Sequence, residues 1–107
     1  MVKTFWLSYD LGLKGDYEGL YAWLDNLKAK ECGDSLAIIH VECGSDYLKE
    51  IRNNFESSVQ CSSGVRVYLI WRDEETGQIR GNFLFGKRKP APWKGYGNIY
   101  EETGEDY

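Results

Sequence analysis

The sequence is poor in the residues that build common catalytic and metal sites. His40 is its one histidine, so a pair of histidine ligands is excluded and any Ser-His-Asp set would have to use it. The three cysteines, Cys32, Cys43 and Cys61, are an odd number without a Cys-x-x-Cys pair. This argues against a disulfide framework and against a zinc site. We expect three reduced thiols that pack as small apolar side chains.

Long apolar segments are also missing. No stretch approaches the roughly 20 apolar residues of a transmembrane helix. The segment from Met1 to Trp6 has no apolar signal region and no small-residue cleavage site. We therefore expect a cytoplasmic protein without membrane contact. The 107 residues, 42% hydrophobic and 28% charged, fit one globular domain. The 15% of aromatic residues supplies enough apolar area for a small core.

The net charge of −4 is unevenly distributed along the chain. Residues 65–95 carry seven bases and three acids, which gives +4, and residues 96–107 carry four acids and no base. We expect a folded domain over 1–86, followed by a basic Pro/Gly loop and an acidic C-terminal tail over 87–107. The cationic loop, Lys87, Arg88 and Lys89 with Trp93 nearby, is suited to phosphates. The alternative is that it pairs with the tail, within one subunit or across two.

Periodicity predicts the secondary structure. Alternation from Lys3 to Leu11 is typical of a half-buried strand, and Asp16 and Asp46 stand where the caps of two amphipathic helices belong. Further strands are predicted over 35–43, 65–72 and 78–85. Residues 28–32 either extend the first helix or form a short strand, and we favour the strand. The prediction is an α+β fold: a ferredoxin-like βαββαβ sandwich with an extra C-terminal strand and both helices on one face of an antiparallel sheet.

Alternation also predicts which side chains point away from the helices. It puts Phe83 and Phe85 together on one side of the last strand. The predicted open face holds Trp6, Ile38, Tyr68, Ile70 and Leu84, with Arg66, Arg72 and Arg80. Aromatic and arginine side chains on a sheet are typical of surfaces that bind single-stranded nucleic acid, whereas an apolar patch of this size is also typical of a dimer interface. We favour the dimer.

Two polar residues are candidates for chemistry. Asp10 closes the first strand before a glycine-containing loop, where it is either a ligand for a hard cation or a turn residue bonded to nearby N–H groups. His40 is predicted on the open face, where we favour a surface histidine hydrogen-bonded to a neighbour. The alternative is an acid–base pair with Asp10.

The segment Leu7-Ser8-Tyr9-Asp10-Leu11, followed by Asp16-Tyr17 and Leu20 and by Asp34-Ser35, resembles the small CRISPR-adaptation nuclease-fold (endoribonuclease-like) subunits and their uncharacterised relatives. The resemblance covers residues 4–72. It implies a metal-binding role for Asp10 and two copies that face each other across a dimer axis. The chain has no arginine-rich stretch after Asp10, and its basic loop and acidic tail have no counterpart in that pattern.

Two functions therefore remain open. The first is a non-catalytic, homodimeric interaction module with this fold, which needs no cofactor and takes a second copy or another protein as its partner. The second is a nucleic-acid-binding protein or a nuclease that uses Asp10 with Mg²⁺ or Mn²⁺.

Overall fold

A computed structural model describes residues 1–97, which form one antiparallel sheet with two helices. The predicted α+β class and the short strand after the first helix are confirmed. The acidic residues Glu101, Glu102, Glu105 and Asp106 lie outside the described residues, and so does their predicted pairing with the basic loop. The elements are β1 (Val2–Asp10), α1 (Tyr17–Asn26), β2 (Lys30–Gly33), β3 (Leu36–Glu42), α2 (Tyr47–Ser58), β4 (Arg66–Arg72) and β5 (Ile79–Phe85).

The strands lie in the order β2-β3-β1-β4-β5, and every neighbouring pair is antiparallel. Strand β1 is central because its alternating apolar residues meet partners on both sides. Phe5 pairs with Ile39 of β3, and Leu7 pairs with Leu69 of β4. Since directly opposed residues point to the same face, these pairs build one continuous apolar layer under the helices.

Asp16 begins α1 as predicted and also ties the two helices together. Its Oδ1 accepts the Gly19 N–H at 2.9 Å, and its Oδ2 accepts the Gln60 N–H at 3.0 Å, just after α2. Both bonds favour the charged carboxylate, so the pKa of Asp16 is lowered, with the Gln60 bond the larger cause. Asp46 precedes α2 but makes no side-chain capping bond.

The core lies between the helices and one face of the sheet. Leu20 and Trp23 of α1 and Ile51 and Phe55 of α2 are buried there. The Trp23 Nε1–H donates to the Asn54 Oδ1 at 2.7 Å, which satisfies the indole at the helix–helix contact. Helices α1 and α2 both pack against this core face and leave the other face of the sheet uncovered, and neither is long and apolar enough to cross a membrane.

Candidate functional site

Four side chains on the open face, the side of the sheet away from α1 and α2, form an arginine–aromatic cluster. We define this cluster as Arg66, Tyr68, Phe83 and Arg88. The Tyr68 and Phe83 rings meet edge to face, with centroids 4.7 Å apart. The Arg88 guanidinium lies 5.6 Å from the Tyr68 centroid and 5.5 Å from the Phe83 centroid, and that of Arg66 lies 5.5 Å from Phe83. Two cations thus pack against one aromatic pair at the surface.

A β-bulge puts Phe83 on this face. Val67 pairs with Phe85 but Tyr68 pairs with Phe83, so Leu84 is an extra residue in β5. Leu84 and Phe85 are both buried in the core. The predicted open-face position of Leu84 is therefore wrong, as is the placement of Phe83 beside Phe85. A strictly alternating pattern does not allow for an extra residue. The extra residue moves every earlier side chain of β5 to the face opposite the predicted one.

Helix α2 supports this bulge from the core side. The Nη1 of Arg52 donates to the Leu84 carbonyl at 2.8 Å, and its guanidinium lies 4.5 Å from the Phe85 centroid. The carbonyl of the extra residue has no ladder partner by geometry, so Arg52 supplies its donor. Arg52 lies on the core side of the sheet, opposite the cluster. Its hydrogen bond to the Leu84 carbonyl nevertheless contacts the bulge that turns Phe83 to the open face.

A glycine in β5 leaves room for the Tyr68 ring. Gly81 pairs with Ile70, next to the Tyr68–Phe83 pair. A Cβ built on Gly81 would lie 2.2 Å from the Tyr68 Oη and 2.7 Å from its Cζ. The tyrosine ring therefore lies directly over the Gly81 backbone, and any side chain there would displace it.

The cluster opens into a cleft of about 310 Å³ that contains Asp10. The lining residues are Ser8, Asp10, Arg66, Tyr68, Ile70, Phe83 and Arg88. Asp10 is opposite Arg66 in the β1–β4 register, and its Oδ1 accepts the Gly12 N–H at 3.0 Å. The predicted turn role of Asp10 is thus present, in a cleft that it shares with two guanidinium groups.

One carboxylate beside two guanidinium groups is a poor match for a divalent cation, which favours several oxygen ligands. Within residues 1–97, no group of three or more His, Cys, Asp or Glu side chains is arranged to hold a metal ion. The donors among residues 1–97 therefore do not fit a Mg²⁺ or Mn²⁺ site at Asp10 by themselves.

His40 does not pair with Asp10. It is opposite Thr4 in the β1–β3 register, and its Nδ1 is hydrogen-bonded to the Thr4 Oγ1 at 2.8 Å. Asp10 is six positions further along β1 than Thr4, which is about 20 Å at 3.3 Å per residue. The favoured prediction of a surface histidine bonded to a neighbour is confirmed, and the alternative His–Asp pair is wrong, because the register of β3 brings His40 to the other end of β1.

Trp6 lies at the centre of the open face. It is opposite Ile38 of β3 and Ile70 of β4, and its side chain is 39% exposed. This apolar row of Ile38, Trp6 and Ile70 crosses three strands next to the arginine–aromatic cluster, as alternation predicted. The two features together form one surface.

The remaining arginines of β4 and β5 are separate from the cluster. Arg80 is opposite Trp71, which faces the core, so its predicted open-face position is wrong for the same reason as that of Leu84. Its Nε donates to the Asp73 Oδ2 at 2.7 Å, and this bond is the main cause that lowers the pKa of Asp73. Arg72 pairs with Ile79 at the hairpin end of β4, four residues beyond Tyr68.

The predicted basic loop forms one wall of a second cleft, which we call the basic cleft. Its volume is about 520 Å³ and its walls are residues 63–66 and 86–90. Lys87 and Lys89 line it together with Arg66 and Arg88, which also line the first cleft. Trp93 lies beyond this segment with its side chain 73% exposed, and it lines neither cleft.

The chain was compared with family models, curated proteins and solved structures. No family model, no curated protein and no solved structure matches this chain. The geometry of the chain itself is therefore what indicates its function.

Sequence reasoning found Arg66, Tyr68 and Arg88 but missed how Phe83 and Gly81 contribute. One signal was present, since Phe83-Leu84-Phe85 is a run of three apolar residues that interrupts the alternation at the end of the strand. Such a run is compatible with a bulge that buries its last two residues. The glycine at 81 was a second signal, because glycine in a strand often marks close approach of another group.

Proposed function

We propose that this domain binds single-stranded nucleic acid across its open sheet face, without catalysis by this chain alone. The observation that carries the proposal is the arginine–aromatic cluster, two guanidinium groups packed on the Tyr68–Phe83 pair in an open cleft. Aromatic rings stack with unpaired bases, and arginines bind phosphates or stack on bases themselves. A duplex offers no free base face to such a surface.

The local charge supports this ligand. Among residues 1–97, the three salt bridges join Met1 to Glu42, Arg52 to Glu56, and Arg80 to Asp73. None of them uses Arg66 or Arg88, and the N–H groups of Arg88 have no protein acceptor in that part of the chain. Cations already held in place by ring contacts lose little freedom when a phosphate binds.

The test is fluorescence anisotropy with labelled single-stranded DNA and RNA, and with the matching duplex. We expect single strands to bind more tightly than the duplex. Phe83→Ala should weaken binding by about fivefold to a hundredfold, which is the range for loss of one stacked base. The matched control is Tyr21→Ala, which removes an exposed aromatic ring from α1. Equal loss in both variants, or equal affinity for duplex, would refute the proposal.

A second function, the homodimeric module, is favoured by the row of Ile38, Trp6 and Ile70. An exposed tryptophan between two isoleucines is typical of an apolar interface centre. The expected partner is a second copy that packs by its own open face. Trp6→Glu should then convert a dimer to a monomer in analytical ultracentrifugation, and a wild-type monomer at high micromolar concentration would contradict this function.

We also propose that the fold is of the ferredoxin-like type. The order β2-β3-β1-β4 with antiparallel neighbours, and one helix after β1 and one after β3, supports this proposal. Strand β5 would then be the extra C-terminal strand, added at the β4 edge. An experimental structure compared strand by strand with that fold is the test.

A further inference from the structure

The basic cleft is a separate feature that continues the surface of the arginine–aromatic cluster. Within the described part of the chain, residues 1–97, its lining includes Arg66, Lys87, Arg88 and Lys89 and no carboxylate. The first cleft, in contrast, contains Asp10. Arg66 and Arg88 line both clefts. One extended ligand can therefore contact the aromatic pair, these two arginines and the basic cleft at the same time.

The walls of the basic cleft are held in position by the fold. The Nε of Arg66 donates to the Lys87 carbonyl at 3.2 Å, which joins the start of β4 to the loop after β5. Gly86 has a φ of +81°, and a Cβ there would lie 2.8 Å from the Arg66 Cγ and 2.9 Å from the Val65 carbonyl oxygen. Only glycine lets the chain turn this close to β4. The cleft is therefore preformed, and binding need not order it.

We infer that the basic cleft is a phosphate-binding subsite, which holds the backbone of the single strand whose base stacks on Tyr68 and Phe83. This inference rests on the proposed function. Lysine ammonium groups act as point charges for phosphate oxygens, while arginine binds them through two parallel N–H groups. Phosphate contacts position a strand and bases stack beside them, and this chain places the two functions next to each other.

The inference is tested with the full chain and a labelled thymidine decamer, measured by anisotropy between about 50 and 200 mM salt. The variant Lys87→Gln/Lys89→Gln changes two residues that line the basic cleft and not the first cleft. Both lysines are exposed, so the fold should be preserved. The control Lys28→Gln/Lys49→Gln removes the same charge from residues that line neither cleft.

Affinity falls with salt, and loss of two phosphate contacts should make the negative slope of log affinity against log salt shallower by about 1.4, at about 0.7 per contact for single strands. The control should leave the slope unchanged. If the wild type binds and Phe83→Ala weakens binding, but the cleft variant keeps the wild-type slope, the inference is overturned and the proposed function stands. If the wild type does not bind the decamer, both the proposed function and the phosphate-binding inference are refuted. Equally tight binding of a glutamate decapeptide would also overturn the inference.

Discussion

Arg52 offers the sharpest test of how the fold positions the cluster. The change to make is Arg52→Met, which keeps an unbranched apolar side chain of similar reach and removes the guanidinium. The Leu84 carbonyl then loses its 2.8 Å donor, and Phe85 loses the cation that packs on its ring. Without the bulge, a regular ladder continued from the Val67–Phe85 pair would place Leu84 opposite Tyr68 and Phe83 opposite Leu69.

The magnitude follows from the contacts. A hydrogen bond from a charged group contributes about 1.5–3 kcal/mol, and the side chain of Arg52 is 53% exposed, so we take the low end. The cation–π contact adds about 0.5 kcal/mol at such a site. We therefore expect a loss of about 2 kcal/mol of unfolding free energy. For a domain of this size, that is a fall in Tm of about 8 °C.

The assay is thermal and urea unfolding, followed by circular dichroism. Two controls separate the bulge contact from charge effects. Lys49→Met removes a cation from the exposed side of the same helix, and Glu56→Gln removes only the 3.3 Å ion pair of Arg52. Each should change stability by less than about 0.5 kcal/mol. If Arg52→Met unfolds at the same temperature as Lys49→Met, the role of Arg52 at the bulge is refuted.

Further variants test other contacts of the structure. Gly81→Ala should displace the Tyr68 ring and weaken single-strand binding several-fold. The control Gly44→Ala lines neither cleft, and its Cβ would meet only the flexible end of Glu50 at 3.3 Å, so it should bind as the wild type does; equal affinities of the two variants would contradict the ring placement. The pKa of Asp16 is lowered in the folded state, so its stabilising effect is present above the unfolded pKa of about 3.9 and is lost as pH falls through the folded value. Asp16→Asn should lower Tm at pH 7 and flatten the pH dependence of Tm below about pH 4. Asp46→Asn, at a helix start without a side-chain capping bond, should leave Tm at pH 7 unchanged. Incubation with single- and double-stranded DNA and RNA in Mg²⁺ or Mn²⁺ tests the nuclease function. That function requires cleavage by the wild type and no cleavage by Asp10→Asn.

Local patterns were sufficient to predict most of the secondary structure. The alternation in β1 and the Asp16 cap each depend on a few neighbouring residues, and both are present in the fold. The β2 strand was harder, because residues 28–32 suit a helix end or a strand. The pairing of Lys30 with Ile38 decides for the strand, and that pairing is a contact between segments that local sequence does not encode.

The errors at the site have one physical source, which is register. His40 could be placed on the correct face by alternation, but only the pairing of β3 with β1 shows that it meets Thr4. Arg80 and Leu84 were placed on the wrong face because a single bulge reverses parity. The carbonyl at that bulge is bonded to Arg52, which is distant in sequence. Local patterns could therefore predict that the open face exists but not which side chains it carries.

Binding of a single strand to the open face is tested by an NMR titration of the ¹⁵N-labelled protein with a thymidine decamer. We expect the chemical-shift changes to concentrate at Arg66, Tyr68, Phe83 and Arg88 and to extend to Lys87 and Lys89. The chemical shifts of the amide signals of α1 and α2 should not change. Changes confined to the helices, or no change at ligand excess, would contradict binding to the open face.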